Sequence, residues 1–225
     1  MRLTHGKTLL LAFACTLTVS ASAFAETQRG TLVMTATPPA LAKAIEAPAA
    51  AAAVVTFWRE AGPGHWFSKD AAFDQRFRER FLALHDLAAR GALDHWRETA
   101  EGAMALVILL DQFPRNAFRG TSRMYATDER ARHIAHFANA ADYDKAFEPA
   151  LRVFLYLPFG HSESLADQDR AVALCDTLGE PIISHARHHH EIIRRFGRFP
   201  HRNPILGRPM TEEEQRYLDN GGFKG

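Results

Sequence analysis

Asp70-Ala-Ala-Phe-Asp-Gln-Arg-Phe-Arg-Glu-Arg-Phe-Leu-Ala-Leu-His-Asp-Leu-Ala-Ala-Arg-Gly91 sets the fold class. Its apolar side chains return at Phe73, Phe77, Phe81, Leu84 and Ala88, the three-and-four spacing of one helix face. Asp70 stands where an N-cap carboxylate accepts free N–H groups, and Gly91 stands where a helix ends. Working outward, Met104 to Leu110 is apolar on nearly all sides and reads as a central, enclosed helix, with Pro114 stopping it or starting the next turn. Further helices are predicted over Asp128 to Ala140, Glu148 to Tyr156, Asp167 to Leu178 and Ile182 to Phe196. Thr211 with Glu214 forms a capping box for a short last helix. No stretch sustains strand-like alternation. The chain is therefore expected to be all-α, an antiparallel helical array.

The N-terminal side has a different character. Arg2 and Lys7 precede an uncharged, mostly apolar run from Thr8 to Val19, and Ala23-Phe24-Ala25 has the small-x-small form of a cleavage site. Residues 1–25 are expected to be a signal peptide, making the mature protein periplasmic or secreted. An uncleaved inner-membrane anchor and a misassigned start with a cytoplasmic product are the alternatives. Residues 26–53, with Pro38, Pro39, Pro48 and the alanines 49–53, read as a linker or weak leading helix, and 54–225 as a single helical domain. Removing the signal leaves Cys175 alone, so no internal disulfide is expected. The 27 Lys and Arg nearly cancel the 26 Asp and Glu, which gives no electrostatic footprint for nucleic acid. A membrane partner is expected only if the N-terminal segment is uncleaved.

Three segments concentrate unusual chemistry: Leu109 to Asn116, Leu157 to Glu163 and Arg195 to Arg208. Each carries a proline that breaks or restarts a helix, at Pro114, Pro158 and Pro200. The first and third echo each other, Phe113-Pro-Arg-Asn116 against Phe199-Pro-His-Arg-Asn203. Side chains at helix ends project beyond the scaffold, so the two echoes are expected to meet on one side of the molecule.

Over these segments, together with Phe57-Trp58, Trp66-Phe67 and Phe73-Asp74, the chain resembles an uncharacterised bacterial family, domain of unknown function 924. The resemblance covers about Val54 to Phe223. It implies an all-helical, tetratricopeptide-like fold and brings no characterised activity. No repeat of about 34 residues with the tetratricopeptide signature is visible.

Candidate ligand-binding residues are Asp111, Arg115, Asn116, His161, Glu163, His189, Arg198, His201, Arg202, Asn203 and Arg208. Guanidinium forks match carboxylate and phosphate, and Asn116 and Asn203 add donors. In the structural alternative, the arginines bridge helix-end carbonyls and buried carboxylates such as Asp111 and Glu163. His161, Glu163, His189 and His201 form a conceivable acid–base or metal set, but His161-Ser-Glu163 lacks helical ligand spacing, and no metal or cofactor is assigned. His185 and His189 fall on the apolar stripe of their helix and read as hydrogen-bonded core residues, while His188 and His190 face solvent. Ser162 lacks a nucleophile elbow, Cys175 reads as an inert core thiol, and nucleotide-binding glycine motifs are missing.

The leading expectation is a helical domain binding a small anionic molecule or an acidic peptide end. A hydrolase using Glu163 or His201 as general base, or metal-assisted chemistry, is the alternative, followed by a purely structural polar cluster.

Overall fold

The computed structural model describes residues 48–225, and among these every regular element is helical. The signal-like segment and most of the linker lie outside the described residues. The first described helix, α1 (Pro48–Ala61), includes the alanine run and therefore begins ahead of the predicted start at Val54. Ala51, Val54, Val55 and Trp58 are buried, so this helix supplies core rather than linker. After the short α2 (Pro63–Trp66) comes α3 (Ala71–Ala89), whose cap is the one read from sequence: Asp70 accepts from the N–H groups of Ala72 and Phe73. Phe73, Phe77 and Phe81 are buried, and Phe77 meets Trp58 and Phe113 at ring-centroid distances of 5.3 and 5.1 Å. Such aromatic pairs add roughly 0.5–1.5 kcal/mol beyond area burial.

A 3-10 turn (Asp94–Glu98) leads to α4 (Ala100–Val107), capped by Thr99, whose hydroxyl accepts from Gly102 N–H. Residues Ala103 to Leu110 are fully buried, as the uniformly apolar run predicts. The chain does not stop at Pro114. It widens into a π turn (Ile108–Gln112) and continues as α5 (Phe113–Ala117). Proline has no N–H to donate, and the widened turn leaves carbonyls free. Side chains supply the missing donors. His85 Nδ1 donates to Leu109 O at 2.9 Å, Thr127 Oγ1 to Leu110 O at 2.5 Å and Arg115 Nη1 to Asp111 O at 2.8 Å. The apparent helix stop is thus a tertiary joint holding Asp111 in the interior.

A 3-10 turn (Ser122–Tyr125) precedes α6 (Asp128–Ala140). The helix expected over Glu148–Tyr156 is two pieces, α7 (Pro149–Arg152) and a 3-10 turn (Val153–Leu155), followed by α8 (Leu157–Gly160). The next pair, α9 (Leu165–Asp176) and α10 (Ile182–Phe196), packs together. Gly197 ends α10 in the left-handed region at φ 68°, a conformation glycine adopts without Cβ strain. A 3-10 turn (Pro200–Arg202) and the capping-box helix α11 (Glu212–Asp219) complete the described chain. The main core is joined by a smaller one in which Ile192, Ile193 and Phe199 pack with Phe196, Tyr217 and Phe223. The helices range from 4 to 19 residues with intervening 3-10 turns, so their lengths show no regular helix-pair repeat. No helix among the described residues is long and apolar enough to cross a membrane.

Candidate functional site

The site forms where the π turn, the start of α6, the turn after α8 and the C-terminal segment come together. Asp111 is fully buried there. Its carboxylate accepts from His161 Nδ1 at 2.7 Å and Gln112 Nε2 at 2.5 Å, and Arg115 Nη1 lies 3.1 Å away. Burial alone would raise this carboxyl. Arg115, then His161 and Gln112, outweigh that and hold it down at about 2. The carboxylate fixes Nδ1 of His161 as the donor, which leaves Nε2 as the ring's acceptor. Burial, followed by the charge of Arg115, lowers the His161 pKa against the opposing pull of Asp111.

Arg115 reaches across to Asp128, the first residue of α6. Its Nη1 and Nη2 donate to the two carboxylate oxygens at 2.8 and 3.0 Å. A carboxylate in the first turn of a helix also sits favourably against the helix dipole. Arg202 comes to the same group from the other echo, with Nη1 3.6 Å from Asp128 Oδ2. The two Phe-Pro motifs therefore converge through their arginines. Their asparagines part: Asn116 donates to Asp74, while Asn203 accepts from Arg208 and lies against Met210.

Arg202 differs from the other arginines of the cluster. Only 6% of the residue is exposed, yet among the described residues its guanidinium makes no hydrogen bond, and its buried Nε has no partner. Its charge lies against two rings, with Cζ 4.6 Å from the Tyr125 centroid and 4.5 Å from that of Phe199. Burial, then the nearby charge of Arg115, lowers its pKa. Arg202 lines a cleft of 370 Å³ that also takes in Tyr125, Asp128, His161, Glu163 and Leu206.

The remaining predicted residues frame the cleft or lie apart from it. Arg208 clamps Glu163 through bonds of 2.6 and 3.0 Å, and Glu163 also accepts from Phe199 N–H at 2.8 Å. Burial would raise the Glu163 carboxyl, but the bonds from Arg208 and Phe199 leave it lowered. These bonds make Glu163 an anchor for Arg208 and for the Phe199 backbone. His201 lies against Phe199 and Phe223, and burial, then Arg202, lowers it to about 4. His189 bonds Gly160 O at 3.2 Å, and burial, then His161, lowers it to about 3. Arg198 is spent on Glu214 and Pro209 O, tying α11 down. The hydrogen-bonded bridging of the structural alternative thus describes Arg115, Arg198 and Arg208, whereas Arg202 has only its 3.6 Å approach to Asp128. His185 is exposed rather than part of the core, because the apolar stripe of α10 passes through Ile183, Ala186 and Ile193. Burial raises the Cys175 thiol to about 11, in keeping with an inert core cysteine. Among the described residues no group of three or more His, Cys, Asp or Glu side chains converges as a metal site.

Asp128 and Tyr125 were missed in the sequence. Asp128 reads locally as an ordinary first-turn acid, and nothing in its neighbourhood shows that two distant arginines meet it.

Residues 54–222 match the family described as bacterial protein of unknown function, domain of unknown function 924. The chain belongs to this family. A solved structure of a protein of unknown function from Agrobacterium tumefaciens is similar, at 54% identity with a TM-score of 0.76. The likeness covers 77% of this chain and 98% of the other. No curated protein matches. Membership of domain of unknown function 924 thus joins this chain to a helical family with no assigned activity.

Proposed function

We propose that the protein binds a small anionic molecule in the cleft at Arg202. One observation carries this reading: Arg202 is a buried guanidinium beside Tyr125 and Phe199 that approaches Asp128 at 3.6 Å but forms no hydrogen bond among the described residues. Its Nε–H is buried without a partner, and leaving such a donor unmade in the interior costs stability. Arg115, Arg198 and Arg208 meet that demand with carboxylates and carbonyls. Arg202 leaves it open at a cleft. An acidic peptide end would bring the same carboxylate chemistry as a free small molecule. Native mass spectrometry of the purified protein tests the reading. The wild type is expected to retain a small-anion adduct that Arg202→Met loses, and bare protein in both samples counts against it.

The hydrolase alternative has support from His161, a member of the acid–base set read from sequence, rather than from Glu163 or His201. The Asp111–Nδ1 bond leaves neutral His161 with an acceptor nitrogen in a side chain that lines the same cleft. A general base needs that arrangement, so His161 takes the place of Glu163 and His201 in this reading. Loss of turnover of a carboxylic ester in His161→Gln, with anion binding retained, would establish it.

Export is proposed on the signal-like residues 1–25 alone. N-terminal sequencing of protein from a periplasmic fraction should begin at Glu26. A cytoplasmic product beginning near Val54 would contradict it.

A further inference from the structure

We infer that the anion taken by the cleft is a monocarboxylate rather than a phosphate, set against the Arg202 guanidinium with its apolar part along Tyr125 and Leu206. This rests on the anion-binding reading and narrows it.

Two observations point to this class. Tyr125 and Phe199 lie 4.6 and 4.5 Å from Arg202 Cζ and cover part of the guanidinium. Its remaining N–H groups pair with carboxylate and phosphate alike, so the surrounding wall decides between them. The cleft wall also carries Asp128, Glu129 and Glu163 against Arg132 and Arg202. Asp128 is already held by Arg115, Glu163 by Arg208, and Arg132 lies 3.3 Å from Asp167. A phosphate dianion would meet this acidic wall with twice the charge of a carboxylate and only one guanidinium, that of Arg202, that is not already hydrogen-bonded. Electrostatic repulsion therefore separates the two anions more than hydrogen bonding does. Tyr125, Ala126 and Leu206 on the same wall add apolar surface that suits a short hydrocarbon chain and offers inorganic phosphate nothing.

The experiment is isothermal titration of the full chain with sodium butyrate and with sodium phosphate at pH 7.5 and equal ionic strength. Butyrate is expected to bind, with phosphate at least about tenfold weaker. Arg202→Lys should weaken butyrate by about tenfold, because an ammonium keeps the charge but loses the planar fork. Phosphate binding within tenfold of butyrate overturns the carboxylate inference and leaves the anion reading standing. Binding of neither probe overturns both. Unchanged butyrate affinity in a folded Arg202→Lys protein overturns the placement at Arg202.

Discussion

Arg115 and Arg202, from two separate Phe-Pro motifs, meet at one carboxylate, that of Asp128. Arg115 holds it in a two-bond fork at 2.8 and 3.0 Å, and Arg202 stands 3.6 Å off. Replacing that carboxylate with a neutral amide leaves two guanidinium groups facing each other with half their countercharge gone. Asp128→Asn should lose about 2 kcal/mol in urea unfolding, somewhat under the scale for breaking a fully buried ion pair because both side chains keep some exposure. A loss below about 0.5 kcal/mol would show that the two arginines are held apart by other contacts.

The π turn offers a second check. Thr127→Val removes the hydroxyl that satisfies Leu110 O and should cost about 1–2 kcal/mol, since the carbonyl is then buried without a donor. Pro114→Ala restores an N–H to the same turn. In the double variant the Thr127→Val penalty should shrink, giving coupling of at least about 0.5 kcal/mol in a double-mutant cycle. Strictly additive losses would mean that Pro114 does not create the demand that Thr127 meets.

Acid should unfold the protein through three half-buried histidines. His161, His189 and His201 all have folded pKa values below the ordinary imidazole value, with His189 at about 3 and His201 at about 4. Below pH 6.5 the unfolded chain binds protons at these sites and the folded chain does not, so stability present above 6.5 falls as pH drops toward 3. Each such group contributes up to about 1.4 kcal/mol per pH unit within that window. Asp111 adds a loss lower down, as pH falls from the ordinary carboxyl range through about 2. Urea midpoints measured from pH 7.5 to 4 should fall steadily, and His189→Gln should flatten the slope. A flat wild-type profile would contradict the burial of these rings.

Glu163 is a structural post in this account. It fixes both the Phe199 N–H and the Arg208 fork, so Glu163→Ala should cost about 2–4 kcal/mol. An unchanged urea midpoint would contradict that anchoring role.

The helices and the residues of the cluster divide sharply in how visible they are in sequence. The α3 face and its Asp70 cap follow from spacing and a local side-chain bond, and the enclosed α4 follows from its uniform apolarity. Pro114 starts the next helical turn, one of its two readings, and the choice is settled by His85 and Thr127, one on another helix and one just before α6. The meeting of the echoes was legible at Arg115 and Arg202, which share a need for countercharge. It failed at Asn116 and Asn203, whose partners lie on different elements. Asp128 carries no local mark of its role, since its partners arrive only with the fold. Length and composition also suggested a late domain start, whereas burial of Ala51 shows that the alanine run packs.

Arg202→Met tests the central claim most directly, because methionine keeps an apolar stem against Tyr125 and Phe199 while removing the charge. Asp128 stays paired with Arg115 in this variant, so no carboxylate is left alone. Urea unfolding in carboxylate- and phosphate-free buffer should show a change below about 0.5 kcal/mol or a gain in stability, since Arg115 still neutralises Asp128 and the desolvation cost of the Arg202 charge is gone. A loss of about 2 kcal/mol or more at unchanged slope would show that Arg202 holds the fold together, and would contradict its assignment as the anion-binding residue.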